Sequence, residues 1–184
     1  MSVADVGMSR ARACAVILLG VLALSGGPRP GELAAPPPGG AAGAFQARVA
    51  ERIQWLNPAL SPYEVARIGQ AAERYAAQYG LEVDLVLGIL EVESGARIAA
   101  RSPKGAMGLM QVMPHMAAAL DLAGNHTTIE SNIEAGCLIL AHNIRRLGEE
   151  DGISAYFWGS DIRGVSYLNR VRAARAIYRS LRGS

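Results

Sequence analysis

Residues 82–94 read EVDLVLGILEVES, an apolar segment that ends in two carboxylates. Its apolar side chains cover most of the circumference of a helix, where a surface helix would show only one apolar stripe. A helix with this pattern belongs in the centre of a domain. The segment therefore predicts a buried central helix. Glu91 and Glu93 lie at the end of this helix, where a carboxylate needs either a partner or a function.

The flanking segments also carry apolar residues at helical spacing, and no strand-like alternation of useful length follows Phe45. Ser61 before Pro62 predicts an N-cap and a first helical residue, and Gly80 predicts the end of that helix. Further helices are predicted at 45–56, 114–123, 153–158 and 165–181. These patterns predict an all-α fold of helices packed around one buried helix.

The longest clean apolar stripe comprises Ile133, Cys137, Leu140, Ile144 and Leu147. Their spacing of three and four residues predicts a helix with this face toward the core. Cys137 lies in the middle of the stripe. We therefore interpret it as a small apolar core residue and not as a nucleophile.

Length and charge limit the classes of function. A chain of 184 residues suits one ordinary domain, and 18 basic against 16 acidic residues leave a net charge of +2, which gives little support to nucleic-acid binding. Six arginines nevertheless crowd the last twenty or so residues. Two interpretations stay open for them: a solvated helix face, or docking onto an anionic envelope polymer.

The N-terminus has the pattern of an export signal. Arg10 and Arg12 precede the apolar stretch 13–24, which has about the length of a signal-peptide core. We predict a signal peptide at 1–25, a Gly/Pro/Ala-rich linker at 26–44 and one catalytic domain at 45–184. The predicted location is the periplasm, with an uncleaved membrane anchor as the alternative.

Glu91 and Glu93 cannot share a face, because residues two apart on a helix point roughly 200° away from each other. The end of a buried helix would expose Glu93 to an apolar surround and to the negative end of the helix dipole, both of which raise a carboxyl pKa. A carboxyl group that stays protonated suits general-acid cleavage of a glycosidic bond. Glu91 is predicted to pair with a nearby arginine. The alternative is that both are ordinary surface or ion-paired residues.

Five motifs occur in a specific order and spacing: ESG at 93–95, ARSPKGAMGLMQVMP at 100–114, NIEAG at 132–136, AYFWG at 155–159 and YLNRV at 167–171. Together they resemble the soluble lytic transglycosylase (SLT) family. The resemblance covers roughly residues 80–175. It implies a lysozyme-like helical domain that cleaves peptidoglycan glycan strands between N-acetylmuramic acid and N-acetylglucosamine.

The resemblance also implies roles for single residues. Glu93 matches the catalytic acid/base of the family. Ser102, Gln111 and Met113 match positions that line the substrate groove, and Tyr156 matches a tyrosine that helps to orient the catalytic carboxyl and the sugar. Other roles stay open for these side chains: Gln111 tying its loop to itself, Ser102 serving as a turn residue, and Met113 or Tyr156 packing in the core.

One segment departs from the family pattern. Where the family usually has Ala-Tyr-Asn-Ala-Gly, this chain has aromatic residues at Phe157 and Trp158. They are interpreted either as packing residues or as a platform on which a pyranose ring stacks.

The resemblance further implies that the N-acetyl group of the substrate replaces a second carboxylate, so that the products carry 1,6-anhydromuramyl ends. Two alternatives remain: a lysozyme-type hydrolase, for which Asp121 is the first carboxylate to test, and a catalytically weak peptidoglycan-binding module of an envelope-spanning apparatus. An accessory role in a secretion, pilus or conjugation apparatus is a hypothesis.

The histidines show no metal-ligand spacing, so neither a metal nor another cofactor is predicted.

Overall fold

The computed structural model of the chain describes residues 40–119 and 127–183. It contains seven helices in these ranges: α1 (Ala41–Leu56), α2 (Pro62–Tyr79), α3 (Val83–Ser94), α4 (Pro114–Ala119), α5 (Ile129–Leu147), α6 (Glu149–Trp158) and α7 (Ser166–Ser180). The β-structure in the same ranges is limited to isolated bridges from Met107 to Arg101 and to Val112. The prediction of an all-α fold is confirmed. None of the described helices combines the length and the apolar character that crossing a membrane requires.

Helix α3 is the centre of the fold. The side chains from Leu85 to Leu90 are buried on all sides of the helix, as predicted. Its most extensive contact is with α7. The two helices approach closely at Gly88, where a Cβ atom would lie 3.0 Å from the backbone nitrogen of Arg175. The missing side chain therefore lets α7 cover this side of α3.

Helix α2 begins and ends where the sequence predicts. Ser61 accepts a hydrogen bond from the Glu64 backbone, and the Glu64 side chain accepts one from the Ser61 backbone, which completes a capping box before Pro62. Gly80 ends the helix in the left-handed conformation with φ of 67°. These ends orient α2 so that its apolar stripe packs against α5.

Other helix boundaries differ from the predictions. Helix α1 begins at Ala41, inside the predicted linker, because the alanines before Phe45 are strong helix formers. Helix α6 begins at Glu149. Three acidic residues occupy its first turn, where their negative charges interact favourably with the positive end of the helix dipole. The predicted extension of α4 to Ala123 falls partly outside the described residues.

The stripe on α5 is confirmed over most of its length. Cys137 is fully buried, and burial raises the pKa of its thiol far above the ordinary value, as expected for an inert core cysteine. Leu147, in contrast, is 38% exposed. The prediction that it packs in the core is wrong, because it lies in the last turn of α5, at the edge of the core.

Three of the six arginines of the C-terminal region, Arg172, Arg175 and Arg179, pair with acids from other helices. Arg175 and Arg179 both donate to Asp84 Oδ2, at 2.8 and 2.7 Å, and Arg175 also donates to Glu149. Burial opposes ionisation of Asp84, yet the hydrogen bonds from the two guanidinium groups hold its pKa below the usual range. Arg172 pairs with Glu150 in the same way. These three side chains are therefore engaged within the fold, and docking of the cluster onto an anionic polymer stays a prediction.

We predict opposite effects for alanine at two helical glycines. A Cβ at Gly152 would lie 2.6 Å from the Ile144 Cα, so Gly152→Ala must push α6 away from α5 and should destabilise the protein by about 1–3 kcal/mol. A Cβ at Gly69 would meet nothing within 4 Å. Gly69→Ala should therefore stabilise α2 by about 0.5–1 kcal/mol. Urea unfolding of both variants measures the difference, and equal effects would contradict the packing described here.

Candidate active site

The end of α3 separates its two carboxylates. Gly95 ends the helix in the left-handed conformation, with φ of 57°. Glu91 faces α1, where Arg52 Nε and Nη2 donate to its two oxygens at 3.1 and 2.5 Å. The prediction that Glu91 pairs with a nearby arginine is confirmed. Glu93 lies on another side of the helix and lines a cavity.

Glu93 is partly buried and has one hydrogen-bond donor within the described residues. The Tyr167 hydroxyl, from the first turn of α7, donates to Glu93 Oε1 at 2.6 Å. Burial raises the pKa of the Glu93 carboxyl above its ordinary value, while the Tyr167 hydrogen bond and the positive charge of Arg170 oppose this. The net effect favours the protonated acid more than in an exposed glutamate.

The loop at 100–112 forms the neighbouring wall of the cavity. Ser102 closes a tight turn, because its backbone and its hydroxyl both bond to Ala106. Met107 and Val112 exchange two backbone hydrogen bonds, of 3.0 and 2.9 Å. Gly108 between them has φ of 79°, a conformation that favours glycine. The glycine-rich sequence thus folds into a compact hydrogen-bonded loop.

Two side chains from other helices hold this loop at Met110. The Met110 N–H donates to Asn132 Oδ1 at 2.8 Å, and the Met110 carbonyl accepts from the Tyr156 hydroxyl at 2.8 Å. Asn132 also donates to the Met107 carbonyl. A Cβ at Gly136 would lie 2.5 Å from the Met110 sulfur, so the glycine makes room for this buried side chain. Two other motifs, NIEAG and AYFWG, therefore position this loop.

Gln111 has a strained backbone conformation, with φ of 49°. Its side-chain nitrogen donates to the carbonyls of Gly108 and Ala100 at 2.9 and 3.2 Å. The amide nitrogen thus ties the loop to itself, which was one of the two predicted roles. Ser102 likewise acts as a turn residue. Because both residues also line the cavity, the turn and loop roles do not exclude contact with a ligand.

The structure brings all five predicted site residues to one cavity of about 570 Å³, within the range of ligand sites in proteins. They are Glu93, Ser102, Gln111, Met113 and Tyr156. Among the described residues that line this cavity, Glu93 is the only carboxylate. A protonatable acid in such a cavity can donate a proton to a bound substrate and take one back.

The cavity is also lined by the two aromatic residues that depart from the family pattern. Phe157 is 49% exposed and stacks on Tyr167, with ring centroids 4.8 Å apart and planes 15° apart. Trp158 is more buried and meets Phe157 edge to face, with centroids 4.9 Å apart. The two rings and Tyr167 form one aromatic cluster beside Glu93.

The contact between Tyr167 and Glu93 corrects an expectation. The resemblance implied that Tyr156 helps to orient the catalytic carboxyl, but the Tyr156 hydroxyl bonds to the Met110 carbonyl and Tyr167 bonds to Glu93. Tyr156 acts on the loop. The only sequence signal for Tyr167 was its place at the start of the YLNRV motif, which carried no assigned role.

Asp121 and His126 lie outside the described residues. In the described ranges, no group of three or more His, Cys, Asp or Glu side chains is arranged to hold a metal ion.

Comparisons with known proteins identify the same region. A family model described as the transglycosylase SLT domain matches residues 70–171, a range that contains all the cavity residues discussed above. A protein named transglycosylase from Enterobacteria phage PRD1 is 36% identical over 87 residues, which are 47% of this chain and 32% of that protein.

Two solved structures are also similar. An inactive mutant of the lytic transglycosylase Slt from Pseudomonas aeruginosa has 24% identity and a TM-score of 0.45, covering 75% of this chain and 27% of its own. The 70 kDa soluble lytic transglycosylase of Escherichia coli has 19% identity and a TM-score of 0.47, covering 79% and 29%. The chain thus spans less than a third of the length of each of these relatives.

We predict that Tyr167→Phe raises the pKa of Glu93 further. The lost hydroxyl stabilises the charged carboxylate, so its removal favours the protonated form. The pKa is measured by NMR titration of ¹³C-labelled glutamate carboxyl groups. Tyr156→Phe is the matched control, since its hydroxyl bonds to a backbone carbonyl, and it should shift the Glu93 pKa much less. An unchanged or lower pKa in Tyr167→Phe would contradict this role.

Proposed function

The chain belongs to the transglycosylase SLT family, and from this premise we propose that it is a lytic transglycosylase acting on peptidoglycan glycan strands. The bond cleaved is the one between N-acetylmuramic acid and N-acetylglucosamine. The observation that carries the proposal is Glu93, a partly buried carboxyl with a raised pKa in a cavity where no other described carboxylate lies.

Glu93 would act first as a general acid. Its carboxyl donates a proton to the glycosidic oxygen while the bond from that oxygen to the muramyl C1 breaks. Burial keeps more of the carboxyl protonated near neutral pH, and a proton donor works best when its pKa lies near the working pH. Tyr167 limits this rise of the pKa and keeps the oxygen atoms oriented.

The second half of the reaction would proceed without a second enzyme carboxylate. A glycosidase normally places a second carboxylate about 5 to 9.5 Å from the acid. We propose instead that the N-acetyl oxygen of the muramyl residue attacks C1. Glu93, now a carboxylate, then takes the proton of the 6-hydroxyl, and O6 replaces the N-acetyl oxygen at C1. The product is a 1,6-anhydromuramyl end, and no water is consumed.

Two other functions remain as alternatives. A lysozyme-type hydrolase needs a further carboxylate. Asp121 lies outside the described residues, and Asp161 is exposed and pairs with the cavity residue Arg163. A catalytically weak peptidoglycan-binding module would explain the altered segment at Phe157, but it leaves the raised pKa of Glu93 without a use.

Peptidoglycan lies outside the cytoplasmic membrane, so the proposed substrate requires export. We propose a signal peptide at 1–25, a linker that ends where α1 begins at Ala41, and a periplasmic catalytic domain, with an uncleaved anchor as the alternative. An association with a secretion, pilus or conjugation apparatus is part of the same proposal. Fractionation of the producing cells and N-terminal sequencing of the mature protein test the location, and crosslinking in cells tests the partner.

We predict that Glu93→Gln lowers the rate of peptidoglycan cleavage by about 100-fold or more, because the amide keeps the shape but cannot transfer the proton. The same variant should gain stability relative to the native chain as pH rises through the Glu93 pKa. A folded-state pKa above the unfolded value means that the carboxyl favours folding at low pH and loses this contribution as it ionises. Release of soluble muropeptides and melting curves at several pH values measure the two effects.

Glu91→Gln is the control and should behave in the opposite way. It breaks a partly buried ion pair with Arg52 and should cost about 1–3 kcal/mol of stability. Cleavage by the folded protein should change little. If Glu91→Gln abolished cleavage and Glu93→Gln did not, the assignment of the acid would be wrong.

We predict 1,6-anhydromuramyl ends on the cleavage products. Mass spectrometry of digested peptidoglycan distinguishes them, since each anhydro product is one water lighter than the hydrolysed fragment and resists borohydride reduction. Products that are mainly reducible would exclude the transglycosylase reaction. They would favour the hydrolase, and Asp121→Asn and Asp161→Asn would then be the variants to test.

A further inference from the structure

Phe157 is a half-exposed aromatic residue in the wall of the cavity. Its ring is 49% exposed although it lines the cavity, whereas Tyr167, on which it stacks, is 1% exposed. A phenylalanine that served only to pack would gain from full burial, since exposed apolar surface is unfavourable in water. The usual family motif has asparagine at this position, whereas this chain has phenylalanine.

The surroundings of Phe157 hold the ring in a fixed orientation. Tyr167 stacks on it nearly parallel, and Trp158 meets it edge to face. Trp158 itself is more buried, and its indole nitrogen is inaccessible to solvent. Trp158 therefore supports the cluster, and Phe157 presents the exposed part of it to the cavity.

The position of the ring relates it to the chemistry. Tyr167 is in contact with Phe157 on one side and donates to Glu93 Oε1 at 2.6 Å on the other. Phe157 is thus connected, through the single side chain of Tyr167, to the carboxyl that would protonate the glycosidic oxygen. A sugar ring next to the scissile bond would lie within reach of both.

We propose that Phe157 is a sugar-binding residue of this site, on whose exposed ring the apolar C–H face of a pyranose next to the scissile bond packs. The inference rests on the proposed function, because it assigns part of the same substrate. Aromatic side chains offer a large apolar surface, and a ring already held by two neighbours loses little freedom when a ligand binds. Asparagine would offer hydrogen bonds but no such surface.

Binding is tested in the Glu93→Gln background, where the substrate persists. The probe is peptide-free glycan strands, released from purified peptidoglycan by an amidase. Removing the exposed ring in Phe157→Ala should weaken binding about tenfold, as expected for the loss of some 50 Å² of apolar contact. Phe157→Leu keeps apolar bulk without a flat face and should be intermediate, and Phe157→Trp should bind at least as well as the parent protein. Calorimetric titration measures the affinities.

Tyr63→Ala is the matched control, because Tyr63 is an aromatic residue with 71% exposure that does not line the cavity. Its affinity for glycan strands should equal that of the parent. If Phe157→Ala fails to fold in a thermal melt, the leucine and tryptophan variants decide the question. Equal affinity of the leucine, tryptophan and parent proteins would overturn the inference.

Kinetics in the active protein separate binding from an indirect effect on Glu93. A sugar-binding role predicts that Phe157→Leu raises KM for glycan strands more than it lowers kcat and leaves the pH profile of kcat unchanged. A lower kcat with a shifted pH profile and unchanged affinity would mean that Phe157 only supports Tyr167, and would refute the inference. Failure of the native chain to cleave peptidoglycan would instead refute the proposed function.

Discussion

The burial of α3 is the constraint on which the rest of the structure depends. Its side chains are covered on every side, and Gly95 ends the helix sharply, so the last turn brings Glu93 from the core to the edge of a cavity. The same exclusion of water that stabilises the core raises the pKa of this carboxyl. Glu91 instead faces α1, where it pairs with Arg52. One helix thus presents two carboxylates in two electrostatic environments.

The cavity wall formed by the loop at 100–112 depends on contacts between elements distant in sequence. Both backbone groups of Met110 are bonded to side chains, one from α5 and one from α6. Such bonds hold a loop without a ligand, and a preorganised site loses less free energy when it binds. The positive φ of Gln111 is a local cost of this arrangement, offset by the surrounding hydrogen bonds.

The sequence predicts those features that arise from local patterns. The cap at Ser61, the end at Gly80 and the all-round burial of α3 follow from residue type and period, and the structure confirms them. The predicted burial of Leu147 was wrong, because periodicity does not show where a helix passes the edge of the core. The motif resemblance predicted the set of residues that meet at the cavity. It implied, however, that Tyr156 contacts Glu93, whereas Tyr167 makes this contact in the structure. Only tertiary geometry distinguishes Tyr156 from Tyr167, since both are tyrosines in matching motifs.

Helix α7 is attached to both ends of α3. Near its start Tyr167 bonds to Glu93, and near its end Arg175 and Arg179 bond to Asp84 in the first turn of α3. Local unfolding proceeds in cooperative units that often match such paired elements. Fraying of α7 from its C-terminal end would therefore not stay local once it passed Arg175. Because α7 contacts the acid at one end of α3 and Asp84 at the other, we expect protection of α7 amides against hydrogen exchange to report on the integrity of the cavity.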